Sequence, residues 1–152
     1  ACPAGTHLNT TGSTAASDCT PCAKGTFSDS ARTANCTVCG HGTYADGKGL
    51  KECIPCPQGT YLDEEGGISE AECKACPAGR HSSRTGLSSQ SECTQCPAGT
   101  FSTGGAAQCT PCARGNFSSS KGATRCEPCE VGGYADGLGT EQCSVCPPGT
   151  CV

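Results

Sequence analysis

The aromatic side chains of this sequence fall at one fixed place in a short period. Phe27, Tyr44, Tyr61, Phe101, Phe117 and Tyr134 are its only Phe and Tyr residues; each stands fifth after a cysteine and second after a glycine, and His7 and His81 hold the same place in two further units. The residue before the ring is most often Thr, as in Thr26-Phe27 and Thr43-Tyr44, a pair suited to a pleated, half-buried strand. Glycines farther along, in Asp46-Gly47, Gly66-Gly67, Gly104-Gly105 and Asp136-Gly137, suit tight hairpin turns. The pattern predicts a small disulfide-rich fold: an elongated tandem array of short β-hairpins, one ring each, with little apolar core and no significant helix. The ring is expected over the adjacent disulfide or the next unit's glycine. No apolar run is long enough to cross a bilayer, so no membrane-spanning segment is expected in this chain.

The period is set by cysteine. Eight CxxC units occur, Cys19/Cys22, Cys36/Cys39, Cys53/Cys56, Cys73/Cys76, Cys93/Cys96, Cys109/Cys112, Cys126/Cys129 and Cys143/Cys146, with Cys2 and Cys151 outside them. The arms between them open on one formula, as in CPAGTH, CAKGTF, CPQGTY and CPAGTF, with glycine third after every opening cysteine from Gly5 to Gly149. Such a glycine supplies a positive φ or lets another strand approach closely. A longer period overlies the short one: residues 22–61 align without a gap on 112–151 at a spacing of 90, with 19 identities in 40 positions. Cys151 is the exception, standing where Tyr61 predicts a ring. Fixed-period self-similarity marks one repeat array across 1–152, in which each unit touches chiefly its neighbours. Its nine modules are 2–19, 22–36, 39–53, 56–73, 76–93, 96–109, 112–126, 129–143 and 146–151.

Composition explains why cysteine carries the pattern. The 18 cysteines among 152 residues exceed the roughly 8–10% that marks a disulfide scaffold, whereas Val, Ile, Leu and Phe together fall far below the roughly 20% an apolar core calls for. An ordinary globular enzyme domain is excluded. The net charge of −4, with signs interspersed and no basic run, argues against nucleic acid as a partner. With no Met, the chain reads as a fragment of a longer protein.

Two local pairings suit the ladder. Joining the ends of each arm uses all 18 cysteines, as 2–19, 22–36, 39–53, 56–73, 76–93, 96–109, 112–126, 129–143 and 146–151, with the last pair the least secure. Closing each CxxC on itself strands Cys2 and Cys151 and gives the bond of redox catalysts, whose βαβ setting is missing here. The arithmetic favours the first. Consecutive CxxC units also approach the spacing of four-cysteine zinc sites, but that leaves two cysteines without a role. The chain's three Asn residues, Asn9, Asn35 and Asn116, all open N-glycosylation sequons, a mark of secreted proteins. N-linked glycans are therefore expected, with Asn35 the least secure acceptor because Cys36 follows it.

No catalytic constellation is found. His7, His41 and His81 lie in different modules, two of them at the ring position. Asp63, Glu64, Glu65, Glu70 and Glu72 lack the spaced oxygen ligands of a calcium loop and read as a solvated hairpin tip. No enzyme activity, cofactor or metal is expected.

At the formula CPxGT[FY]…CxxC the sequence resembles the ephrin-receptor-like cysteine-rich repeats of extracellular proteins. It is also similar to the first disulfide loop of tumour-necrosis-factor-receptor modules and to cysteine-rich surface proteins of ciliates and other protists. The likeness runs from Cys2 to Cys151 and implies closure of each loop between its flanking cysteines. The chain lacks the additional crossed pairs of complete receptor modules. The expected function is that of a non-catalytic, glycosylated, extracellular rod, secreted or at the cell surface, in a coat, wall or filament. It would associate with itself or with other matrix or surface proteins. The alternative is a stalk or ligand-binding ectodomain of a receptor or adhesion protein, which needs an exposed cluster rich in Trp, Tyr or Arg.

Overall fold

The computed structural model describes residues 2–8 and 15–151. Within these, sixteen strands of two or three residues pair in sequence order as eight antiparallel hairpins. Each joins the ring-bearing strand of one arm to the CxxC segment that follows, as in Phe27 opposite Thr37, Tyr44 opposite Ile54 and Phe101 opposite Thr110. Nine disulfides close the nine arms: Cys2–Cys19, Cys22–Cys36, Cys39–Cys53, Cys56–Cys73, Cys76–Cys93, Cys96–Cys109, Cys112–Cys126, Cys129–Cys143 and Cys146–Cys151.

The recurring order Gly-Thr at the head of each arm has a local cause. In module 2 the backbone turns at Ala23, where the Thr26 N–H and hydroxyl both donate to the Ala23 carbonyl, at 3.1 and 2.8 Å. The turn places Gly25 at φ +78°, a conformation that a side chain disfavours by about 1–2 kcal/mol. Thr6, Thr43, Thr60, Thr100 and Thr150 repeat the same hydroxyl bond. No α-helix occurs among the described residues, but three 3₁₀ turns do, Ala16–Asp18, Glu70–Glu72 and Gln90–Glu92. They fall in the three arms whose cysteines are 17 residues apart, and each absorbs the extra length just before the closing cysteine.

Modules are joined by backbone rather than by side chains. Between modules 2 and 3, the Gly25 N–H donates to Ala45 O (2.9 Å), the Ser28 N–H to Leu50 O (3.1 Å), and the Gly49 N–H back to Cys22 O (2.8 Å). The same three bonds recur at each of the seven interfaces from module 1 to module 8. The accepting arm therefore folds back over the preceding hairpin. This corrects the expectation of tight turns at Asp46-Gly47 and Asp136-Gly137: positive φ falls instead at Gly49 and Gly139, the residues that donate to the preceding opening cysteine. At module 2 the position is Arg32, the one non-glycine with positive φ among the described residues (68°), and its N–H donates to Cys2 O at 3.0 Å.

Contact also reaches the second neighbour, farther than a nearest-neighbour array implies. A Cβ on Gly42 would stand 2.9 Å from Leu87 O of module 5 and closer still to Gly86 O; Gly5, Gly25, Gly59, Gly79 and Gly99 meet the backbone two modules on in the same way. Gly115, Gly132 and Gly149 face open space. The accessible surface is 8944 Å², against about 7,100 Å² for a compact monomer of this mass, as suits an elongated array.

Burial is confined to the disulfides and to small clusters between modules. Tyr61 packs with Cys76, Cys93 and Leu87 of module 5, and Tyr44 with Cys56 and Leu62 of module 4. These two rings thus lie on the following module's disulfide. The residue after the ring is more deeply buried than most rings: Ser28, Ala45, Leu62, Ser82, Ser102, Ser118 and Ala135 are at most 6% exposed.

Two substitutions separate the roles of the glycines. Gly115→Ala should cost only the left-handed strain, about 1–2 kcal/mol, whereas Gly42→Ala should cost more because its Cβ also meets module 5. Denaturant midpoints with disulfides intact read the difference, and equal costs would contradict second-neighbour packing. Arg32→Gly relieves strain at an exposed position and should raise stability by up to about 1 kcal/mol.

Candidate functional site

The chemistry-bearing residues are distributed along the array instead of converging. All 18 cysteines are bonded, leaving no thiolate for the zinc alternative. Eight of them, Cys2, Cys22, Cys39, Cys56, Cys76, Cys93, Cys96 and Cys112, are also buried, at 3% exposure or less. The cysteines singled out by the sequence are therefore core residues at these positions: Cys96 and Cys112, both fully buried, fill space inside modules 6 and 7 and present no sulfur to a ligand or metal at the surface. Free cysteine sulfur is itself a small apolar group, and here its bonded form takes the place that aliphatic side chains hold in a larger core.

His7 Nδ1 lies 3.3 Å from Cys36 Sγ, close to Cys22 as well, but those two sulfurs are joined to each other. His7 and His81 occupy the ring position in their hairpins, opposite Thr20 and Thr94. His81 Nδ1 is 3.3 Å from Ala107 O of the next module, and His41 faces Glu65 at 3.7 Å on the surface. Each imidazole therefore has its own local partner.

The acidic residues of module 4 are similarly dispersed. Lys74 Nζ reaches Asp63 at 2.6 Å and Glu64 at 3.2 Å, while Glu72 accepts the Ile68 N–H at 2.9 Å. The ammonium hydrogen bond holds the Asp63 carboxyl below its usual range, and the two carboxylates hold Lys74 above its own. In module 5, Glu92 accepts from both the hydroxyl and the N–H of Ser88, and these bonds lower its pKa. Burial raises the Tyr44 phenol, helped by Glu70 and Asp46.

Of the three sequons, Asn9 lies outside the described residues. Asn35 is exposed at a bend before Cys36, which is bonded to Cys22. Asn116 is half-buried in the strand Asn116–Phe117, its Nδ2 donating to Arg114 O at 3.4 Å, and the sequon's Ser118 is 6% exposed with its hydroxyl directed to Ser120 O.

The most distinctive surface is apolar. Val131, Leu138 and Val145 are well exposed, and Tyr134 is 39% exposed where its counterpart Tyr44 is 5%. Tyr44 is bridged by Gly67 of the module 4 arm, and no equivalent bridge lies beside Tyr134 among the described residues. An open groove of about 420 Å³ lies there, lined by Phe117, Val131 and Val145 and by the polar Glu127, Glu130 and Gln142. Sequence reasoning noted that Cys151 replaces a ring, but not that Tyr134 is more exposed than Tyr44. The buried residue after each ring was also missed, although it is small or Leu in every unit.

Disulfide-closed hairpins that repeat one backbone interface define an extracellular cysteine-rich repeat protein. Residues 42–93 and 99–136, more than half of the chain, match the family described as tyrosine-protein kinase ephrin type A/B receptor-like. The chain belongs to that family, a non-catalytic extracellular module. No curated protein matches it.

Two measurements probe these local assignments. Intact mass should fall short of the fully reduced value by about 2 Da per disulfide at nine bridges, and chelator should release no thiol; thiols freed by chelator would restore the zinc reading. Because Glu92 has a lowered folded pKa, its contribution is complete above the ordinary carboxylate range and is lost as pH falls through the folded value. The Ser88 amide resonance should shift with that acid titration in the wild type and stay flat in Glu92→Gln.

Proposed function

We propose that the chain is a structural rod: a secreted or surface-attached, disulfide-stapled glycoprotein that serves by extension and protease resistance in a coat, wall or filament. The observation that carries this reading is the repetition of three backbone hydrogen bonds at seven interfaces. A surface specialised for one ligand would single out a module, whereas here the rings and the residues after them serve module-to-module packing. Glycans at Asn35 and Asn116 fit the reading, and the half-buried Asn116 would take its glycan before its module closes. Asn35 adjoins a bonded cysteine, and the Asn116 sequon is built into a strand. Self-association or binding to other matrix proteins completes it.

One observation favours the receptor or adhesion alternative. Val131, Tyr134 and Leu138 of module 8, with Val145 just after it, expose more apolar side chain than earlier modules do at Val38 and Ile68.

Electron microscopy of the protein decides between a rod and a compact ectodomain. Elongated particles, or fibres at higher concentration, are the expected result. Compact monomers with saturable binding of a protein ligand, lost on Tyr134→Ala, would replace this reading with the alternative.

A further inference from the structure

The disulfide connectivity determines which parts of the chain can carry tension. Each arm is bridged at its base, across Cα–Cα distances of 5.4–5.9 Å. A pull along the array is therefore carried from Cys2 through the first disulfide to Cys19, along Thr20 and Pro21 to Cys22, through the next disulfide, and onward to Cys151. The segments between disulfides are the second strands of the hairpins and are already extended. The rings and the rest of each arm lie outside the covalent load path, which the inter-module hydrogen bonds touch only at cysteines, as where Cys22 O accepts from the Gly49 N–H. At full stretch this path measures about 140 Å, whereas the same chain without its disulfides spans about 520 Å.

The sulfurs are unequally exposed. The opening cysteines of modules 1 to 7, Cys96 and Cys112 among them, are at most 3% exposed, and most closing cysteines are only half-buried. Module 5 is the exception, with Cys76 and Cys93 both at 1%. At the other extreme Cys151 is exposed, and both Cys129 and Cys143 are half-buried.

We infer that the array is a tension-bearing tether whose length is fixed by its disulfides and released stepwise by thiol reductants, from modules 9 and 8 first to module 5 last. In each step a thiolate attacks the accessible closing Sγ. The S–S bond breaks, and the opening cysteine leaves as a thiolate, which takes up a proton. A second thiol resolves the mixed disulfide, so one disulfide is reduced as two thiols are oxidised to one disulfide. The order follows access of the attacking thiolate to sulfur. This inference rests on the rod reading and adds to it a load path and a chemistry.

The test pulls the whole chain between handles at its two termini, with and without dithiothreitol, alongside timed alkylation of the reduced cysteines read by mass spectrometry. Without reductant, extension should stop at about 140 Å. With it, steps of about 40–55 Å should appear for cysteines 13–17 positions apart, and one of about 12 Å for Cys146–Cys151. Alkylation should reach Cys151 and Cys143 early and Cys93 last. Extension well beyond 140 Å without reductant would overturn the load path, and labelling of Cys93 among the first would overturn the order. Rods seen by microscopy alongside either failure would leave the structural reading standing, whereas compact particles alongside the expected steps would remove that reading and keep the load path.

Discussion

Each arm of this chain rests on its neighbour through three backbone hydrogen bonds, and those bonds form only if the two ends of the arm are already held together. A loop of this length is costly to order, and a net gain of about 1 kcal/mol per hydrogen bond cannot order it alone. Its rings and leucines bury too little area to compensate. The disulfide at the base lowers the entropy of the open loop by about 3 kcal/mol for a closure of some 15 residues in the chain-entropy model. Once closed, the arm has few ways to lie other than across the preceding hairpin, where Cys22 O, Cys39 O and their equivalents wait for a donor. Tertiary structure here depends on covalent closure to a degree that an apolar core would make unnecessary.

An interface made of backbone places unusual demands on sequence. Most arm positions are free to vary because their carbonyls and amides, not their side chains, make the contacts. Residues 22–61 and 112–151 accordingly keep the fold with 19 identities in 40 positions, mostly cysteines, glycines and the residues of the turn and ring. The exceptions are sites where a side chain would intrude. Gly42 and Gly99 must lack a Cβ because a carbonyl from two modules on occupies that space, and the residue after the ring must be small or fit a particular gap, as Leu62 does between Tyr44 and Gly67.

This division explains which features could be read in advance. Cysteine spacing, the third-position glycine and the ring are carried by residue identity, so the hairpin array was legible from them. The folding back of each arm was not, since a bond from the Gly66 N–H to Cys39 O leaves no trace in side-chain chemistry. Nor was the unequal burial of the cysteines, because Cys96 and its partner Cys109 are the same residue type and differ only in what the neighbouring modules lay over them. A signal for the folding back did exist: the donor stands ten residues after its own opening cysteine at Gly49, Gly66, Gly86, Gly122 and Gly139. Other arm glycines such as Gly47 and Gly67 obscured it, and Arg32 interrupted it.

The same economy narrows what the molecule can offer a partner. With the opening cysteines, the residues after the rings and several of the rings committed to neighbouring modules, the free surface consists of arm tips and the outward strands of the hairpins. Those tips differ from one another chiefly in charge. Module 4 carries Asp63, Glu64, Glu65, Glu70 and Glu72, whereas module 7 carries Arg114, Lys121 and Arg125 and no acidic residue. Exposed ion pairs at such tips contribute little to stability, so their sign is free to vary without disturbing the array. Arm residues can therefore change the charge of the tips while the module spacing remains set by the cysteines.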